Sequence, residues 1–230
     1  MEFLRVLFTV VLYLNILLAV ASFFFAFILL RRSKGDAIYF NFGMAVLMLG
    51  VWMFVTLSDY FGLTPFSSSL HARLGFLLGL WALHYFLIFT YYFPLQKMVT
   101  KSVTPFFYIG TIAISVLALW PGLITSASVD FPFRYREINP LGLTIYTVYF
   151  SFLAIIAFTN LFKRYEASDG IHRRQLKKII AGTAVAVVAN LFFSLINFYY
   201  VSFDLTHLGM FFAFTILIYI YLILFSKKPA

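Results

Sequence analysis

Between Ile179 and Tyr200 the chain runs without one charged side chain, and six more stretches are almost as apolar. This repetition limits the fold more than any motif does. A run of about 20 apolar residues matches the thickness of a bilayer core when helical. Inside hydrocarbon every backbone N–H and C=O needs an internal partner, which an α-helix supplies by itself. The spans are expected at 4–30, 38–57, 70–93, 105–120, 143–162, 179–200 and 208–225. They predict an all-α, polytopic membrane protein, a seven-transmembrane helix bundle that makes residues 1–230 one domain. Pro94 stops the third run and Pro121 the fourth, which is the shortest. The first run contains Ala19-Val-Ala21, which looks like a signal-peptide cleavage site. It continues past that point to Arg31 and Arg32, so it reads as an uncleaved helix.

Charge gives the expected orientation. Only 11% of residues are charged, against about 25% in a soluble domain. The net charge of +9 is confined to short connections between apolar runs, so it marks membrane sides and argues against a nucleic-acid surface. With the N-terminus outside, the inner connections and tail hold Arg31, Arg32, Lys34, Lys97, Lys101, Lys163, Arg164, Arg173, Arg174, Lys177, Lys178, Lys227 and Lys228. The outer side then keeps Arg5, Arg73, Arg134 and Arg136. Lys and Arg accumulate on the cytoplasmic side, which predicts N-out, C-in and a place in the plasma (inner) membrane. The basic stretch 163–178 is expected as the largest inner loop. The outer loops are expected at 58–69, 121–142 and 201–207, the middle one long enough to form a lid. No internal repeat of the kind found in many transporters is visible.

Few polar groups lie within the spans, and they are the candidates for function. His84 is the main ionisable residue there, which makes it a ligand or switch candidate by default. Asn15, Asn41, Asn160, Asn190 and Asn197 each need a partner in hydrocarbon, and most are expected to tie helices together. Near the outer end of the sixth span, Asn197 falls close to Tyr200, Asp204 and His207. With His84 and Asn190 these form the expected ligand-binding set. Gly75 and Gly79 form a GxxxG, and Gly182 and Ala186 a small-xxx-small pair, both expected to permit close helix packing. The absence of Cys removes disulfides and thiolate sites. His71, His207, Asp59, Asp130, Glu137 and Asp204 fall on the outer side without metal-ligand spacing, so no metal site is assigned. No HExxH, GxSxG or P-loop is present, and nothing calls for a cofactor or for enzymatic activity.

Several local patterns resemble the N-terminal seven-transmembrane sensor region of bacterial histidine kinases and related signalling proteins. They are Asn41-Phe-Gly leading to Gly50-Val-Trp52, and Phe93-Pro94 closing the third span. They continue with the aromatic loop before the fifth span and the series Arg173-Arg-Gln-Leu-Lys-Lys178 ahead of Gly182. Last come Leu208-Gly209 and Tyr219-Ile-Tyr221 in the seventh span. The resemblance covers nearly the whole chain. It implies a two-component sensor that detects a ligand or membrane signal and passes it through the seventh helix to a cytoplasmic output domain. The kinase core is missing from this sequence, so the expectation is either a sensor piece of a longer protein or a free-standing membrane protein. No catalytic residue carries over. Expected partners are membrane lipid, a small apolar or outer-side ligand, a cytoplasmic signalling domain, and a second copy in a homodimer. A small-molecule transporter or an integral-membrane enzyme acting on lipid are the alternatives.

Overall fold

A computed structural model describes residues 2–94, 103–130, 133–193 and 206–225. Among them are seven helices: α1 (Glu2–Ser33), α2 (Ala37–Phe61), α3 (Ser68–Tyr92), α4 (Val103–Leu119), α5 (Pro140–Glu166), α6 (Gly170–Leu191) and α7 (Thr206–Phe225). Among the described residues four segments are long and apolar enough to cross a membrane: Thr9–Ser33, Ala37–Phe61, Ser68–Tyr92 and Pro140–Glu166. Thr104–Leu119 and Phe211–Leu222 are shorter apolar helices. These are the features of a helical membrane protein, as the apolar runs require.

The helix ends follow local chemistry. Asp36 caps α2 by accepting from the Ile38 N–H at 2.8 Å, and Ser67 caps α3 by accepting from Leu70 N–H at 3.3 Å. Asn139 caps α5 by accepting from Gly142 N–H at 3.1 Å, with Pro140 pre-set in the first turn. Gly62 ends α2 in the left-handed conformation, φ 59°, which lacks a Cβ penalty only for glycine. The result moves one boundary. The expected second span stops at Leu57, but α2 runs one further turn, through Asp59 and Tyr60, before Gly62 turns the chain.

Two expected loops are structured. The basic stretch 163–178 is mostly helix: α5 continues to Glu166 and α6 begins at Gly170, leaving only a short turn. Lys, Arg and Gln are good helix formers, so the end of an apolar run does not end the helix. Arg173 lies over the Tyr165 ring, 4.9 Å from its centroid, which braces that turn. The segment after α4 forms an antiparallel hairpin, β1 (Ile124–Asp130) and β2 (Phe133–Ile138). Its register pairs Ile124 with Ile138 and Ala127 with Arg136, with an irregularity between Ile124 and Ser126. Alternation of aromatic and charged residues from Phe133 to Arg136 has the period of a strand. Leu123 and Ile124 bury against Ala72 and Phe76, which docks the hairpin on the start of α3.

Small residues set the helix contacts. A Cβ added at Gly43 would meet Leu29 and Leu30, and one at Gly50 would meet Ser22, so α1 and α2 lie antiparallel and very close. Arginines tie helix ends by donating to terminal carbonyls that lack an intrahelical partner. Arg73 Nη1 donates to Leu119 O at 3.0 Å, joining the start of α3 to the end of α4. Arg164 Nη2 donates to Tyr91 O at 2.7 Å, joining the ends of α3 and α5. The core holds Phe42, Phe89 and Phe93 in a row, with ring centroids 5.2 and 5.4 Å apart.

Candidate functional site

A cavity of about 210 Å³ lies between α2, α3, α5, α6 and α7. Its space comes from small side chains on facing helices: Ala45, Gly75, Gly79, Ala82, Ala186 and Ala213 all line it. Larger groups complete the wall, among them Trp52, Phe76, Phe86, Tyr146 and Phe150, with Ile216, Leu217 and Ile220 from α7. The GxxxG of α3 has a defined use here. The Trp52 indole covers it, such that a Cβ at Gly75 would sit 3.1 Å from Nε1 and one at Gly79 3.7 Å from the ring. The small pair on α6 works similarly, because a Cβ at Gly182 would come 3.1 Å from Ile216 on α7.

Polar groups sit at two levels of this cavity. At the hairpin end, His71 and Arg136 line it. His71 is buried: Nδ1 is 3.0 Å from Ser67 O and 3.4 Å from Asp59 Oδ1, and Nε2 is 2.7 Å from Thr64 Oγ1. Asp59 also accepts from Ser68 Oγ at 2.7 Å. The extra turn of α2 is what brings Asp59 to His71. Deeper, Thr56, Thr147 and Thr183 line the wall, and Tyr146 Oη donates to Phe76 O at 2.8 Å. Thr183 is buried and its Oγ1 has no hydrogen-bond partner.

His84 does not line the cavity. It projects from another side of α3 into a polar cluster with α4 and α5. Its Nδ1 is 2.9 Å from Thr111 Oγ1, which is 3.1 Å from Tyr149 Oη. Tyr149 donates to Phe107 O at 3.1 Å, and Trp81 Nε1 donates to Ser115 Oγ at 3.0 Å. Tyr149 can approach because Gly110 has no Cβ; one placed there would meet the phenol oxygen at 2.6 Å. The rings of Trp81, Tyr85 and Tyr108 surround the imidazole at centroid distances of 5.2, 5.6 and 4.4 Å. His84 Nε2 is buried with no hydrogen-bond partner. The arrangement binds three helices together.

The remaining expected ligand residues are only partly placed. Asn190 lies near the end of α6 and His207 at the start of α7, both with side chains outside the described residues. Asn197, Tyr200 and Asp204 lie outside the described residues altogether. Of the amides expected to tie helices, Asn160 does so, with Nδ2 3.3 Å from Thr90 Oγ1, whereas Asn41 donates to Ala37 O of its own helix. Sequence reasoning passed over Trp52, His71, Arg136 and Thr183 as cavity groups. Thr183 adjoins Gly182 in the sequence, whereas Trp52 is far along the chain from the α3 glycines that it covers. Among the described residues no group of three or more His, Asp or Glu side chains is arranged to hold a metal ion.

No family model and no curated protein matches this chain.

Proposed function

We propose that this chain is a sensory module of a bacterial plasma membrane, with seven spans, the N-terminus outside and the C-terminus inside. A ligand in the central cavity biases helix packing, and α7 carries the change to a cytoplasmic output domain or partner protein. One observation supports this most. The cavity lies on the seam between two groups of helices. Among the described residues α2 packs extensively on α1 and α3, and α6 on α7, while α7 meets α2 and α6 meets α5 more thinly. A molecule touching both groups changes how they sit together, provided that it binds one packing better than the other. About 1.4 kcal/mol of differential affinity moves such an equilibrium tenfold. Transporters instead build midplane sites from broken helices, and α2, α3 and α5 are unbroken through their apolar cores.

The absence of native cysteines allows a direct test. Spin labels attached through the substitutions Tyr92→Cys and Leu222→Cys report the distance between the ends of α3 and α7 in nanodiscs. Filling the cavity with Ala186→Phe, or with a small bound molecule, is expected to move the distribution by about 1–2 Å or more. One unchanged distribution for the empty and the filled cavity would refute the sensory reading.

A further inference from the structure

We infer that the end of α1 holds an anionic phospholipid of the surrounding bilayer, with its phosphate against Arg31, Arg32 and Lys34 and its chain along the outward face of α1. A surface groove there combines two chemistries. Phe27 and Ile28 form its apolar floor, and Arg31, Arg32 and Lys34 form its cationic rim. Local structure assembles the rim. Arg31 and Arg32 fall in the last turn of α1, each four residues beyond Phe27 or Ile28, so helical spacing stacks each arginine on an apolar neighbour. The chain then reverses in a tight turn, where Lys34 and Gly35 take φ 32° and 94° and the Asp36 N–H donates to Ser33 O. That reversal keeps Lys34 beside the end of the helix.

The protein does not neutralise this rim itself. Among the described residues no carboxylate forms an ion pair with Arg31, Arg32 or Lys34, and all three side chains are exposed. The nearest acid in the sequence, Asp36, has Oδ1 engaged by the Ile38 N–H at 2.8 Å. Two guanidinium forks and an ammonium suit a phosphate group. The surface below the rim separates a lipid from a free phosphate. Tyr13, Leu17, Val20, Phe24 and Phe27 are each 59–66% exposed. They recur every four and three residues, which sets them in one stripe leading to Arg31. Half of a hydrocarbon core about 30 Å thick is about 15 Å. At about 1.5 Å per residue, that depth reaches from Arg31 to the level of Val20. A ligand that meets both rim and stripe carries an anionic head and a long chain. Nothing in this groove depends on the central cavity or on the sensory reading.

The test titrates the purified full chain with phosphatidylglycerol and with phosphatidylcholine of the same chains, and reads the first bound lipid by native mass spectrometry. A basic residue near an anionic surface is worth about fivefold in affinity, so the wild type is expected to prefer phosphatidylglycerol by about 10-fold or more. Arg31→Gln/Arg32→Gln/Lys34→Asn is expected to bring that preference below about 2-fold, asparagine being chosen because it tolerates the left-handed turn. Arg174→Gln/Lys177→Gln/Lys178→Gln removes the same charge from the exposed start of α6 and is expected to keep the preference. Arg31→Gln alone, expected to lose about 3- to 5-fold, decides the matter if the triple variant does not fold. Soluble glycerol 1-phosphate at millimolar concentration is expected to leave the lipid bound. Equal binding of the two lipids by the wild type, or binding of neither, overturns the site. Equal losses in the two triple variants overturn it too, since they report charge spread over the whole surface. Displacement of the lipid by glycerol 1-phosphate overturns the lipid and leaves a site for phosphate.

Discussion

The cluster around His84 makes a quantitative prediction about what holds α4 in the bundle. Thr111→Val keeps the shape of the side chain and removes the hydroxyl that links His84, 2.9 Å away, to Tyr149, 3.1 Å away. Interhelical hydrogen bonds in membranes average about 0.6 kcal/mol and reach about 1.7. Two such links are lost. His84 Nε2 is already without a partner, so the substitution leaves both imidazole nitrogens unsatisfied in a buried site. The expected destabilisation is therefore about 1–3 kcal/mol. Thr111→Ser, which retains the oxygen, should lose well under half of that. The assay is reversible unfolding in mixed micelles, followed by labelling of a single Cys introduced on α4. A double-mutant cycle between Thr111→Val and His84→Phe isolates the link, with an expected coupling of about 1 kcal/mol. Strictly additive single effects, or a Thr111→Val protein as stable as wild type, would show that the cluster holds nothing together.

The two glycines of the α3 motif should behave differently. Gly75→Ala drives a methyl to 3.1 Å from Trp52 Nε1 and should lower stability by about 1–3 kcal/mol with a shifted Trp emission, whereas Gly79→Ala, whose new contacts start at 3.7 Å, should be neutral or slightly stabilising. Asp59→Ala removes the acceptor of the Ser68 hydroxyl and the carboxylate 3.4 Å from His71 Nδ1, and should lower thermal stability by about 1–3 kcal/mol, with increased proteolysis of the hairpin end; unchanged melting would rule out Asp59 as an organiser of that end. Gly62→Ala forces a Cβ into the left-handed region at the end of α2 and should cost about 1–2 kcal/mol, readable as a lower melting temperature of the purified protein.

Much of the fold is legible in the sequence because lipid imposes length and polarity directly. The long apolar runs at 38–57, 70–93 and 143–162 all correspond to helices, and Asp36, Ser67 and Asn139 mark their starts by ordinary capping chemistry. Boundaries are less legible at α2, α5 and α6, because a helix does not stop where the apolar run does. Leu57 is the last apolar residue of its run, yet the backbone bonds continue until Gly62. The hairpin 124–138 is legible only as a polar, aromatic segment, since two short alternating strands give a weak signal until they dock on Ala72 and Phe76.

The site is less legible than the fold. His84 stands out by its rarity in a span, and the structure gives it a partner on α4, Thr111, which in turn bonds Tyr149 on α5, a link that no spacing along the chain could supply. Thr183 and Trp52 look like ordinary membrane-helix residues. Hydropathy and capping by themselves determine that this chain makes long apolar helices, because those properties depend on neighbours within a few turns. Only the packing of α2, α3, α5, α6 and α7 decides that small residues leave a cavity, that Thr183 lines it and that His84 does not. Those outcomes depend on which helix faces are brought together, and side chains far apart in the chain set that jointly.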